Sequence, residues 1–234
     1  MGQGTQARIL AKTAAGILGA AVASGVLAAP AATAAPAATA APAAVRAAGG
    51  KVVLNIAWER EQKEWWCGPA AARMALKSWV RQPATQPHLA DDMISGWGTK
   101  DVTYATVAMN NALKRSGFGR PYFSRGFPAN TRLDVKKRQL MRDMVTTVGV
   151  KRRAMVLNIK STRSFKLHGA YPNRTVYHYI TVIGYTAGLV YVADPASGLN
   201  KDYSKVPQKY WVDMTRLATM LHTGNGNHYY STMS

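Results

Sequence analysis

The sequence predicts an α+β fold for residues 51–234, a stretch of 184 residues. Helical patterns come mostly first and strand patterns mostly later, no internal repeat is present, and the length suits one domain with a proper core. Val52 to Trp58 reads as a first strand, followed by a polar approach loop from Glu59 to Glu64. Gly68-Pro69 opens a helix running to about Val80, because proline fits a first helical turn and the alanines, Met74 and Leu76 favour helix. Leu89 to Ser95 and Tyr104 to Arg115 read as further helices, the second closed by Ser116-Gly117. Pro121 to Ser124 suits a short strand. Leu133 to Val148 is helical, with Leu133, Leu140, Met144 and Val148 near one face. Ala154 to Ile159 is a buried strand, and Val176 to Tyr185 with Leu189 to Ala193 reads as a hairpin turning at Gly188. Trp211 to Leu221 is expected to be a final helix, and His228 to Ser231 an edge strand.

What precedes residue 51 reads as a leader. Arg8 and Lys12 start it, an uncharged apolar run from Thr13 to Ala29 follows, and Ala32-Thr33-Ala34 offers small residues to a signal peptidase. The alternative is a membrane anchor, for which the run is short and only weakly apolar. Residues 1–34 are therefore expected to be a secretory signal peptide. Residues 35–50, rich in Ala and Pro, are expected to be a spacer, and the protein secreted or associated with the cell wall.

Thirty Lys and Arg face eleven Asp and Glu across the chain, a formal +19. Only Arg8, Lys12 and Arg46 precede residue 51, so a formal +16 remains on the domain. That charge favours anionic surroundings such as cell-wall polymers, or it serves solubility alone. No zinc-finger spacing, helix-turn-helix or RNA-binding aromatic signature points to nucleic acid.

Cys67 is the only cysteine, which excludes an intrachain disulfide framework. Its place just before Gly68-Pro69 puts it at a helix start, where unpaired N–H groups and the helix dipole favour a thiolate and can receive an oxyanion. A small buried apolar residue is the other reading. A thiolate nucleophile needs a proton acceptor. Of five histidines, His88, His168, His222 and His228 lie in loops or polar stretches and read as solvated. His178 opens the strand His178-Tyr-Ile-Thr-Val-Ile-Gly184, and alternation puts it on the face of Ile180 and Val182, the face expected to pack on the Cys67 helix. It is either a satisfied core histidine or the base. Asp194 ends the next strand and returns beside His178, where it would orient the imidazole; otherwise Asp194-Pro195 merely begins a turn.

Three blocks, Trp66-Cys67-Gly68-Pro69-Ala70-Ala71, His178 to Tyr185, and Val192-Ala193-Asp194-Pro195-Ala196-Ser197-Gly198, resemble cysteine peptidase family thirty-nine, whose best-known members are bacteriocin-processing, double-glycine peptidases. The resemblance spans about residues 52 to 200. It implies a papain-like fold with the nucleophile helix packed on an antiparallel sheet. It also implies Cys67 as nucleophile, His178 as general base and acid, and Asp194 as the orienting residue, with no metal and no cofactor. The family's oxyanion glutamine commonly stands six residues before the cysteine. Here that position is Glu61, whose carboxylate would repel an oxyanion, and Gln62 is expected to take the role after a one-residue adjustment. Trp65, Trp66 and Gly68 are expected to border the substrate. The function so implied is a secreted peptidase acting as a monomer on a peptide or protein. An amidase or acyl transferase on cell-wall peptides, and a catalytically silent wall-binding module, stand as alternatives.

Overall fold

The structure, a computed structural model, describes residues 50–93, 102–222 and 228–234. The expected signal peptide, and all of the expected spacer except Gly50, lie outside them. Seven antiparallel strands form one sheet: β1 (Val52–Val53), β2 (Phe123–Gly126), β3 (Met155–Ser161), β4 (Val176–Tyr185), β5 (Leu189–Ala193), β6 (Lys209–Asp213) and β7 (His228–Thr232). Their order is β2-β7-β3-β4-β5-β6, with β1 paired to the end of β4. The helices are α1 (Cys67–Leu76), α2 (Gln86–Asp92), α3 (Val102–Arg115), α4 (Leu133–Met144) and α5 (Met214–Met220). This is the predicted α+β, papain-like arrangement.

The centre of the molecule is α1 against β4. Ala70, Ala71, Ala72, Met74 and Ala75 are fully buried, and the small alanine side chains let helix and sheet approach closely. The Thr181 hydroxyl donates to the Ala71 carbonyl at 2.9 Å, satisfying a buried hydroxyl inside the layer interface. The expected meeting of His178 with the start of α1 is made through Cys67, and Thr181, of opposite parity on β4, reaches the Ala71 carbonyl of the same helix. β4 pairs with β3 in unbroken register from Val176↔Ser161 to Val182↔Met155. Its continuous apolar run fits a strand buried on both faces.

Several expected boundaries move, each for a local reason. β1 ends at Val53 although Leu54 and Ile56 still point into the core. Beyond it the backbone carbonyls serve side chains: Ile56 accepts from Lys209 Nζ and Ala57 from Lys77 Nζ, so the alternating segment leaves the ladder. α2 starts three residues earlier than expected, with Pro87 in its first turn and the Thr85 side chain capping it; the end expected at Ser95 lies outside the described residues. The helix expected through Val148 is α-helical to Met144 and continues as a π-helical turn, Val145–Val150.

The helix expected over Trp211 to Leu221 is instead a strand and a helix. Tyr210 and Val212 are buried while Trp211 stacks on Tyr191 at 4.7 Å, a period of two, and Asp213 then caps α5 by accepting the Arg216 N–H. β7 is no edge strand: it lies between β2 and β3, with Ser231 Oγ accepting the Val156 N–H at 3.0 Å. The ends of the strand order are β2 and β6.

At Gly184 a Cβ would stand 2.5 Å from the Val52 carbonyl oxygen, so only glycine lets β1 close on β4 beside the register shift there. Gly184→Ala is expected to lose about 1–3 kcal/mol by overpacking, measured by urea unfolding; an unchanged midpoint would refute this account of the contact.

Candidate active site

Cys67 is the first residue of α1 and is partly exposed. The helix begins on Trp66, whose backbone is non-helical and whose side chain makes no capping bond. Pro69 has no N–H to satisfy, so the first turn carries its positive end toward the cysteine without a side-chain oxygen covering it.

His178, third in β4, is 3% exposed and is hydrogen-bonded to Cys67. Its Nε2 lies 2.9 Å from Asp194 Oδ1, which leaves Nδ1 as the ring nitrogen for the sulfur. The hairpin β4–β5 makes this meeting: Thr181 pairs with Ala193, and Asp194 follows directly.

Asp194 is completely buried and richly held. Oδ1 also accepts the Ala196 N–H at 3.0 Å, and Oδ2 accepts the hydroxyls of Tyr171 and Tyr210, each at 2.6 Å. Trp58 Nε1 donates to the Asp194 backbone carbonyl at 2.7 Å. Burial works against the charged carboxylate, but the facing His178 and these donors outweigh it and lower its pKa. Burial likewise opposes charge on His178. The Asp194 carboxylate, with hydrogen bonds from Asp194 and Cys67, overrides it and raises the imidazole well above its ordinary range. Burial, then the charge of Asp194, pushes Tyr171 and Tyr210 well above the usual phenol value, so both stay neutral donors.

The loop before α1 holds its residues in a fixed sense. Gln86, 2% exposed at the start of α2, donates from Nε2 to the Arg60 carbonyl and accepts the Gln62 N–H at Oε1. Glu61 N–H donates to the Pro195 carbonyl at 3.0 Å. Clamped on both sides, Glu61 points inward and is 4% exposed, while Gln62 points out. The expected adjustment that would bring Gln62 to the sulfur is therefore corrected: Gln62 lines a separate, open pocket with Trp58, Glu59, Arg73 and Gln86. There Glu59 is ion-paired to Arg73 and Lys77.

Trp65 is 48% exposed next to the cysteine, Trp66 is half-buried with Lys63 Nζ 4.2 Å from its ring, and Gly68 is buried in the first turn. Of the histidines expected to be solvated, His168 packs its ring 4.8 Å from Tyr210 and His222 packs against Tyr177. Among the described residues no group of His, Cys, Asp and Glu is arranged to hold a metal ion.

The structure thus joins sulfur, imidazole and carboxylate in one chain of contacts. Residues 53–219 match the Peptidase_C39 like family. The chain belongs to that family. None of the curated proteins matches it in sequence. Among solved structures it is similar to a candidate C39-like peptidase from Bacillus anthracis, 14% identical, covering 79% of this chain and 98% of that one at a TM-score of 0.46. Membership of that family suggests cysteine peptidase activity.

Sequence patterns did not expose Trp58, Tyr171 or Tyr210. Tyr171 lies in a polar loop without periodicity, and the place of Tyr210 in a strand was hidden by the helical reading of its neighbours.

The ion pair makes stability depend on pH at both ends. A lowered Asp194 pKa adds stability that is present above 3.8 and lost as pH falls through the folded value. A raised His178 pKa adds stability that is complete below 6.5 and lost as pH rises through its folded value. Asp194→Asn leaves the buried imidazolium without its anion. It should cost about 3–5 kcal/mol at pH 6, with the deficit shrinking as pH falls from 3.8 toward the lower folded value at which the wild type itself loses the carboxylate. Chemical unfolding at the two pH values checks this; an equal deficit at both would exclude the ion pair as its source.

Proposed function

We propose that this chain is an exported cysteine peptidase that hydrolyses peptide bonds through Cys67, His178 and Asp194. The observation that carries the reading is the connected chain from Cys67 through His178 to Asp194, standing at a helix start that no side chain caps. With the proton already held at His178 Nδ1, the sulfur attacks the substrate carbonyl. The Cys67 N–H at the helix N-terminus receives the developing oxyanion. His178 returns the proton to the leaving amine, and water attacks the resulting thioester with the same imidazole as base. Asp194 holds the ring through Nε2 and keeps it charged in the interval between steps. Trp65 and Trp66 would border the peptide on either side of the sulfur. Export is supported by Arg8, Lys12, the apolar run to Ala29 and the small residues Ala32-Thr33-Ala34.

Iodoacetamide should label Cys67, identified by mass spectrometry. Cys67→Ala should lower peptide hydrolysis at least about 10³-fold with the melting temperature retained. Undiminished turnover in that variant would sink the mechanism.

The formal charge of +16 on residues 51–234 supports association with anionic wall polymers. Co-sedimentation with teichoic-acid-bearing wall fragments should weaken steeply between low and physiological salt, as the screening length shortens to about 8 Å, and should persist after Cys67 is alkylated. Binding that ignores salt would separate the charge from any such role.

A further inference from the structure

Glu61 is the one ionisable side chain at this site that the thiol chemistry above leaves without a task. It stands six residues before Cys67, is 4% exposed, and has its backbone fixed by Gln86 and Pro195. The charged and titratable groups around its carboxyl are His178 from β4, Asp194 from the end of β5, Glu64 from its own loop and Tyr203 from the 3-10 turn Lys201–Tyr203. The Trp66 N–H is also hydrogen-bonded to it. Oε2 nevertheless has no hydrogen-bond partner, and it is the only buried side-chain nitrogen or oxygen among the described residues of which that is true. An unpaired buried polar atom is costly, and in a native site it calls for an explanation such as a ligand group that completes it. Burial foremost moves the carboxyl up to about 7. His178 opposes that rise, and the negative neighbours Asp194 and Glu64 add to it. Near neutrality a large share of Glu61 is therefore a neutral acid with an O–H to give.

We propose that Glu61 in its neutral form is a further catalytic residue, donating an Oε2–H hydrogen bond to the substrate carbonyl oxygen as negative charge develops on it. The inference rests on the cysteine-peptidase reading. As Cys67 Sγ bonds to the carbonyl carbon, the C=O π pair moves onto oxygen. In this proposal the Cys67 N–H and the Glu61 O–H share that oxygen, and the carboxyl proton stays on Glu61. When the adduct collapses the pair returns, the C–N bond breaks, and the amine leaves with the proton held by His178. Ionised Glu61 reverses the effect, because it sets a carboxylate against the oxyanion. The acid form is the active one, so activity falls as pH rises through about 7. The site is built for a mildly acidic setting.

The test compares wild type with Glu61→Gln, whose amide donates at every pH, and with Glu61→Ala. Two probes are used: a peptide that the wild type cleaves, and a tripeptide aldehyde, whose adduct with Cys67 carries the same oxygen. Wild-type kcat/KM should fall about tenfold per pH unit above the Glu61 transition. Glu61→Gln should hold its plateau and exceed wild type about tenfold one unit above it, and Glu61→Ala should lose about 10²- to 10³-fold at acid pH. Aldehyde protection of Cys67 should weaken with rising pH in wild type and stay level in Glu61→Gln. Iodoacetamide alkylation, which forms no oxyanion, should proceed alike in both and so reports an intact site. A Glu61→Gln profile that tracks wild type, or a Glu61→Ala variant as fast as wild type, overturns the proposal while the Cys67 mechanism stands. Full activity in Cys67→Ala overturns both.

Discussion

A carboxylate with no exposure to water must find inside the protein everything that water would have supplied. Asp194 finds it: an imidazole, a backbone N–H and two phenols converge on its two oxygens, and an indole holds its backbone. Much of the surrounding structure follows from that requirement. β5 and β6 bring Asp194 and Tyr210 together, the loop before β4 brings Tyr171, and the segment after β1 brings Trp58. The segment leaves the sheet early, yet its Trp58 side chain returns to the same residue. Because the charge is so well satisfied it can be kept, and because it is kept, His178 holds a proton in a place where burial alone would strip it away.

The second constraint is the direction of the loop between β1 and α1. The chain bends at Gln62, and with the backbone of residue 61 held by Gln86 and Pro195 the two neighbouring side chains part, one buried and one exposed. Gln86 does this from α2, whose start depends on Thr85 and Pro87. A helix cap therefore reaches into the chemistry through one buried amide. The result is an acidic side chain buried near His178 and Asp194 and a neutral one lining the open pocket.

How much of this was legible beforehand depends on whether the information was local. β4 and β5 were readable with their ends because an unbroken apolar run and a glycine turn are local signals. The start of α1 was readable from Gly68-Pro69 and its alanines. The pairing of Cys67, His178 and Asp194 could be posed from spacing and family resemblance together. What could not be read was set by distant partners. The choice between Glu61 and Gln62 is made by Gln86, remote in sequence. Tyr171 matters only through the anion it meets across the fold. β6 is a strand because Tyr191 and the core receive its alternate side chains, while its composition, running straight into α5, suits a helix equally well.

The position of β7 has a bearing on how the molecule comes into being. β2 and β7 pair Phe123 with Thr232 and Ser124 with Ser231, and β7 also touches β3 through Tyr230. β2 is thus joined to the sheet only through a strand roughly a hundred residues downstream of it. During synthesis the hairpin of β4 and β5 can assemble early, but one flank of the sheet has no neighbour until the closing segment emerges. Until β7 has emerged, β2 has no partner strand and that flank of the sheet stays open.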